Sequence, residues 1–182
     1  MQVFPTSLDG VLIIEPTVFQ DERGFFLESW NRLAFQEATG VKTDFVQDNC
    51  SGSKQGVVRG LHYQLPPNPQ GKLVRTAVGS VFDVAVDLRR SSPTFGRWFG
   101  TELTSENQRQ LWIPTGFAHG FVATSDWAEV QYKVTSYYER SRERVLRWDD
   151  PDLGIDWPLD IAPLLADKDA GATPLREAEV FA

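Results

Sequence analysis

GKLVRTAVGSVFDVAVDL, residues 71–88, decides the fold. The stretch is dense in β-branched residues and reads as strand. Over its second half, Val81, Asp83, Ala85 and Asp87 fall on one strand face. Phe82, Val84, Val86 and Leu88 fall on the other, so one face is more apolar, as in a wall of a sandwich or barrel. GVLIIEPTVF (10–19), RQLWIPTGFAHGFVA (109–123) and AEVQYKVTSYY (128–138) repeat the character of short strands cut by Gly and Pro. Together they predict antiparallel β structure. Helix is expected in SWNRLAFQEATG (29–40), where Asn31 can cap and Gly40 can stop it. A brief helical turn is expected in SENQRQ (105–110) and a little more helix beyond Pro158.

The 182 residues suit one domain, 1–182, and a hydrophobic content of 41% is enough to bury a core. A net charge of −7 argues against nucleic-acid binding through a basic surface, so any cationic site is local. The apolar run Val11–Ile14 is too short to span a bilayer, and no membrane association is expected. Cys50 has no partner in the chain, which suits a reducing compartment, and a cytoplasmic protein is expected.

Only two histidines are present, His62 in RGLHYQ (59–64) and His119 in PTGFAHGF (114–121). A lone histidine is more often structural than catalytic, so the neighbours must decide. Arg59 and His62 lie three apart, on opposite faces of a regular strand, unless Gly60 admits a bulge. Lys72 and Arg75 have the same odd spacing, and both arginines and the lysine can equally be solvated strand charges. Tyr132 shares its face with Val130 and Val134, the pattern of an inward position, where a tyrosine is most often core. The histidines lack the H-x-H or H-E-x-x-H spacing of a metal site, and no glycine motif for a nucleotide cofactor occurs, so neither metal nor cofactor is expected.

Several separated motifs, in order, then carry a resemblance. DERGFFLESWN (21–31), QDNCSGSKQGVVRGLHYQ (47–64), GKLVR (71–75), GSVFDVAVDLRRSSPTFGRW (79–98), LWIPTGFAHGF (111–121), QYKVTSYY (131–138), WDDPDLGIDWP (148–158) and LLADKD (164–169) resemble the dTDP-4-dehydrorhamnose 3,5-epimerase family. The resemblance implies an all-β, cupin-like jelly-roll barrel with a few short peripheral helices, acting without metal or cofactor as a homodimer. The implied substrate is a dTDP-linked 4-keto-6-deoxyhexose, inverted at C3 and C5 through an enolate. It further implies His62 as base, Tyr132 as acid on the opposite ring face, Asp169 as the carboxylate orienting the base, and Lys72 beside the enolate oxygen. Arg59 and Arg23 match phosphate-binding positions, and Glu28, Gln47 and Asn49 match nucleotide contacts. His119, Glu143 and Lys168 match further ligand contacts, and Tyr138 matches an aromatic beside the nucleotide. The chain departs from the family pattern at Val145, where glycine is usual, and at Cys50, where a small polar residue is common. An epimerase acting at C3 alone, a ketoisomerase-like relative and a non-catalytic sugar-nucleotide binding module are the alternative readings.

Overall fold

Alternating side chains build the sheets. The computed structural model describes residues 1–182, with strands β1 (Gln2–Pro5), β2 (Leu12–Glu15), β3 (Val18–Asp21), β4 (Gly24–Leu27), β5 (Gln47–Lys54), β6 (Val58–Gln64) and β7 (Lys72–Val78). There follow β8 (Ser80–Asp87), β9 (Trp98–Thr104), β10 (Gln110–Ile113), β11 (Phe117–Ala123), β12 (Trp127–Val134) and β13 (Glu143–Val145). A six-stranded sheet in the order β1-β2-β10-β7-β12-β5 faces a five-stranded sheet in the order β13-β6-β11-β8-β9. Pairing is antiparallel throughout both sheets, and β3 and β4 form a separate hairpin. The expected jelly-roll β fold is therefore borne out.

The interior between the sheets is filled by Val74, Val81, Ala85, Leu103, Phe117, Phe121 and Val130 among others. The structure settles which β8 face points inward. Its inward face is the one bearing Val81, Asp83, Ala85 and Asp87, and both aspartates are fully buried. The more apolar face, with Val84, Val86 and Leu88, points outward and packs under Leu146, Leu153 and the tail residues Leu175 and Phe181. An outer sheet face covered by chain needs the same apolar lining as an interior. Asp87 is tolerated because Arg89, Ser92 and Thr94 donate to it. Burial would push its carboxyl up, but these bonds prevail and hold it at about 2.

Helix α1 (Arg32–Thr39) forms where its caps predict: Asn31 Oδ1 accepts from Ala34 N, and Gly40 closes the end with a positive φ. Its buried Phe35 packs edge-on against Trp112 of β10, 5.7 Å between ring centres, on the outer face of the six-stranded sheet. Residues 105–107 form a turn that leads into β10 at Gln110, rather than the expected helical segment. The Thr104 hydroxyl accepts from Glu106 N and Asn107 N, and Asn107 Oδ1 accepts from Thr104 N and Arg109 N, so side chains take the N–H groups a helix would use. Beyond Pro158 the chain forms α2 (Asp167–Ala170) and a single 3-10 turn, Leu175–Glu177. No helix is long and apolar enough to cross a membrane.

Candidate active site

The decisive local feature is a bulge in β6. His62 pairs with His119 and Arg59 with Phe121, so Gly60 and Leu61 together oppose only Gly120. Gly60 has φ +125°, and a Cβ there would lie 2.6 Å from Gly120 Cα and 2.8 Å from the His119 carbonyl oxygen. Only glycine fits this approach. The extra residue cancels the odd spacing, and Arg59 and His62 both line one cavity of about 410 Å3 between the sheets.

The two sheets contribute different chemistry to that cavity. From the five-stranded sheet come Arg59, His62, His119 and Glu143; from the six-stranded sheet come Gln47, Asn49, Lys72 and Tyr132. The six-stranded side is laid out in rows. Tyr132 pairs with Asn49 and Val74; in the next row Val130 pairs with Ser51 and Thr76; Ser53 lies opposite Ala128 beyond it.

His62 Nε2 donates to Asp169 Oδ1 at 2.6 Å, which leaves Nδ1 to meet a reacting proton. Asp169 is 2% exposed and sits on α2. The segment carrying α2 is fastened to the five-stranded sheet region on both sides, by the Val57–Leu164 and Leu146–Thr173 bridges. Lys72 donates from Nζ to the His62 carbonyl at 3.0 Å. Burial brings its ammonium down to about 8, while Asp83 and Glu143 work in the opposite direction. Burial raises the Tyr132 phenol, so it holds its proton at neutral pH. His119 Nε2 donates to Asp83 at 2.9 Å, and burial pushes the His119 imidazole down, toward the neutral form.

Around this centre, Arg59 donates to Ser53 Oγ at 3.0 Å and to the Gly52 carbonyl at 2.9 Å, so its guanidinium is braced by neutral groups. Lys168 Nζ donates to Glu143 at 2.9 Å and Tyr138 Oη to the same carboxylate at 3.1 Å. Gln47 donates to Asn49 and accepts from Tyr138 N. Val145 disturbs none of this, because residues 143–145 form β13 in register with Gln64, Tyr63 and His62.

Of the sequence candidates, Gln47, Asn49, Arg59, His62, Lys72, His119, Tyr132, Tyr138, Glu143, Lys168 and Asp169 all line the cavity. Arg23 and Glu28, expected at the same site, do not line it. Arg23 lies at the hairpin turn with its side chain 84% exposed and paired to Asp21. Glu28 accepts from Asn31 beside the start of α1. Sequence reasoning missed Asp83, Ser51 and Gln70. The inward alternation with Val81 and Ala85 marked Asp83, since an aspartate on an apolar face needs a partner. A second hollow of about 340 Å3, around Arg75, Gln131 and Lys133 on the outer face of the six-stranded sheet, contains no histidine.

The family model described as dTDP-4-dehydrorhamnose 3,5-epimerase matches residues 5–177. The chain is 56% identical over 181 residues to the dTDP-4-dehydrorhamnose 3,5-epimerase of Shigella flexneri, covering 100% of this chain and 99% of that protein. It is similar to the crystal structure of a Legionella pneumophila dTDP-6-deoxy-D-glucose-3,5-epimerase in complex with dTDP-4-keto-L-rhamnose, with a TM-score of 0.95, 49% identity and coverage of 98% and 94%. A 3'-monoepimerase from Streptomyces bikiniensis in complex with dTDP-quinovose is more distant, with a TM-score of 0.89, 37% identity and coverage of 97% and 88%. A match that runs through both sheets and the cavity between them, at this identity, leaves one conclusion: the chain belongs to the dTDP-4-dehydrorhamnose 3,5-epimerase family.

Proposed function

We propose that this protein inverts C3 and C5 of a dTDP-linked 4-keto-6-deoxyhexose, with His62 as base and Tyr132 as acid. The observation that carries the reading is their placement: His62 stands on one sheet and Tyr132 on the sheet facing it, with one cavity between. A sugar ring lying between the sheets presents one face to each. The C4 ketone acidifies the neighbouring C–H bonds, His62 Nδ1 removes a proton, and the electrons move to the C4 oxygen as an enolate. Tyr132 returns a proton from the other side, and the centre is inverted. Asp169 fixes the tautomer and stabilises the imidazolium, while the Lys72 ammonium stabilises the growing enolate charge.

Arg59, charged and not neutralised by a carboxylate, suits the diphosphate, and Tyr138 suits the flat face of the base. The expected homodimer accounts for Arg23 and Glu28. The β3–β4 hairpin exposes Phe19, Phe25 and Phe26 (61%, 58% and 65%), and a second copy contacting it would receive Arg23 near its own diphosphate. A cytoplasmic setting, where the exposed Cys50 thiol stays reduced, fits this role. The test is incubation with dTDP-4-keto-6-deoxyglucose in deuterated water. Deuterium and inversion at both C3 and C5 are expected. Inversion at C3 alone would move the protein to the monoepimerase reading, and exchange at neither carbon would leave a binding module.

A further inference from the structure

The chain has two buried side-chain polar atoms without a hydrogen-bond partner, Ser51 Oγ and Thr76 Oγ1. They flank Val130 in one row of the six-stranded sheet, but only Ser51 lines the cavity. Its neighbours on β5 are employed: Asn49 accepts from Gln47, and Ser53 accepts from Arg59. A buried hydroxyl with no partner lowers stability, so its retention in a cavity wall calls for a use outside the folded chain.

We propose that Ser51 is a ligand-binding residue whose hydroxyl donates to the phosphate group that carries the sugar. Position fixes the choice. Ser51 lies one row, about 7 Å, from the Asn49–Tyr132 row where the ring is worked on, and one row from Ser53, which braces Arg59. Along a nucleoside diphosphate sugar, the group between the reacting ring and the guanidinium's anion is the sugar-bearing phosphate. Serine has a single side-chain torsion, and no bond holds it here. Rotation to a well facing the cavity therefore breaks nothing in the protein, and the contact forms only with ligand present.

This inference rests on the epimerase reading, so the test separates the two. Calorimetric affinities for dTDP and dTMP are measured for the wild type, Ser51→Ala and Arg59→Ala, with melting temperatures of the unliganded proteins. In Ser51→Ala, dTDP is expected to bind about tenfold to a hundredfold more weakly, as for a lost bond to a charged group. Binding of dTMP, which lacks the sugar-bearing phosphate, should be unchanged, and the melting temperature should hold or rise. If Arg59→Ala loses dTDP while Ser51→Ala binds it normally, the serine has no such role and the epimerase reading stands. Equal losses for dTDP and dTMP, or a lowered melting temperature or misfolding of Ser51→Ala, would give the hydroxyl a structural partner and overturn the proposal. If the wild type fails to bind dTDP, the underlying reading falls with it.

Discussion

His62 and His119 are cross-strand partners on β6 and β11, yet each gives its Nε2 proton to a different buried carboxylate, Asp169 and Asp83 respectively. The His62 side chain is 25% exposed and the His119 side chain 6%, so two neighbouring imidazoles hold different positions in one cavity. In the proposed mechanism the more open one exchanges protons with the substrate. The deeper one is held neutral and shapes the wall.

His62→Asn should therefore abolish proton exchange at both carbons, by about a hundredfold or more, since one base starts both reactions. Asp169→Asn keeps the base but loses its orientation and counter-charge, and should fall less far. Deuterium wash-in followed by NMR measures both variants; near-normal exchange in His62→Asn would remove it as the base.

Tyr132→Phe retains His62, Asp169 and Lys72, and the ring still packs beside the core, so enolate formation survives. A proton returned by His62 restores the starting configuration. Washed-in deuterium should then exceed inverted product, most clearly at C5. Equal losses of exchange and inversion at both carbons would sink the two-face mechanism.

Activity should also decline on the alkaline side with a midpoint near 8, because Lys72 is charged below about 8 and neutral above it. The sign follows from the charge that develops in the reaction, since the ammonium, not the amine, stabilises an enolate. Lys72→Met should lower kcat at all pH values and flatten this limb, read from a pH profile at saturating substrate. A limb of unchanged position in Lys72→Met would assign the titration to another group.

Mixing two inactive variants tests the second copy. Arg23→Ala retains His62, and His62→Asn retains Arg23; if Arg23 acts across a dimer, a mixed pair contains one site with both groups intact. Unfolding and refolding the two variants together should restore up to about half of the wild-type activity per mixed dimer. Recovery no greater than the sum of the separate variants would place Arg23 outside the site, and a monomer by sedimentation would remove the dimer.

Strand character, the caps of α1 and the inward setting of Tyr132 were legible because each depends on near neighbours in sequence. The β6 bulge was legible only as a possibility: Gly60 permits it, but the close approach of Gly120 on β11 demands it. The asymmetry of β8 was legible, but not which of its faces points inward, for a related reason. Hydrophobicity marks a covered face without saying what covers it, and the cover is Leu175 and Phe181 from the far end of the chain. Arg23 shows the remaining limit, since a sequence match suggests a site residue without showing where the fold places it, and the fold places Arg23 on an exposed hairpin turn away from the cavity.

The His62–Asp169 bond joins positions 107 residues apart, and Asp169 rides on a segment laid over the barrel after the strands have been traversed. The sheets pair along extended ladders, whereas this segment is held by isolated bridges and docks on strands already paired. If His62 is the base and Asp169 orients it, as proposed, catalytic competence is linked to completion of folding. A chain with its sheets paired but this segment undocked would have the cavity walls and the base, but not the base's carboxylate partner. Recovery of activity during refolding should therefore lag behind recovery of β-sheet signal, making turnover a reporter of the last docking step.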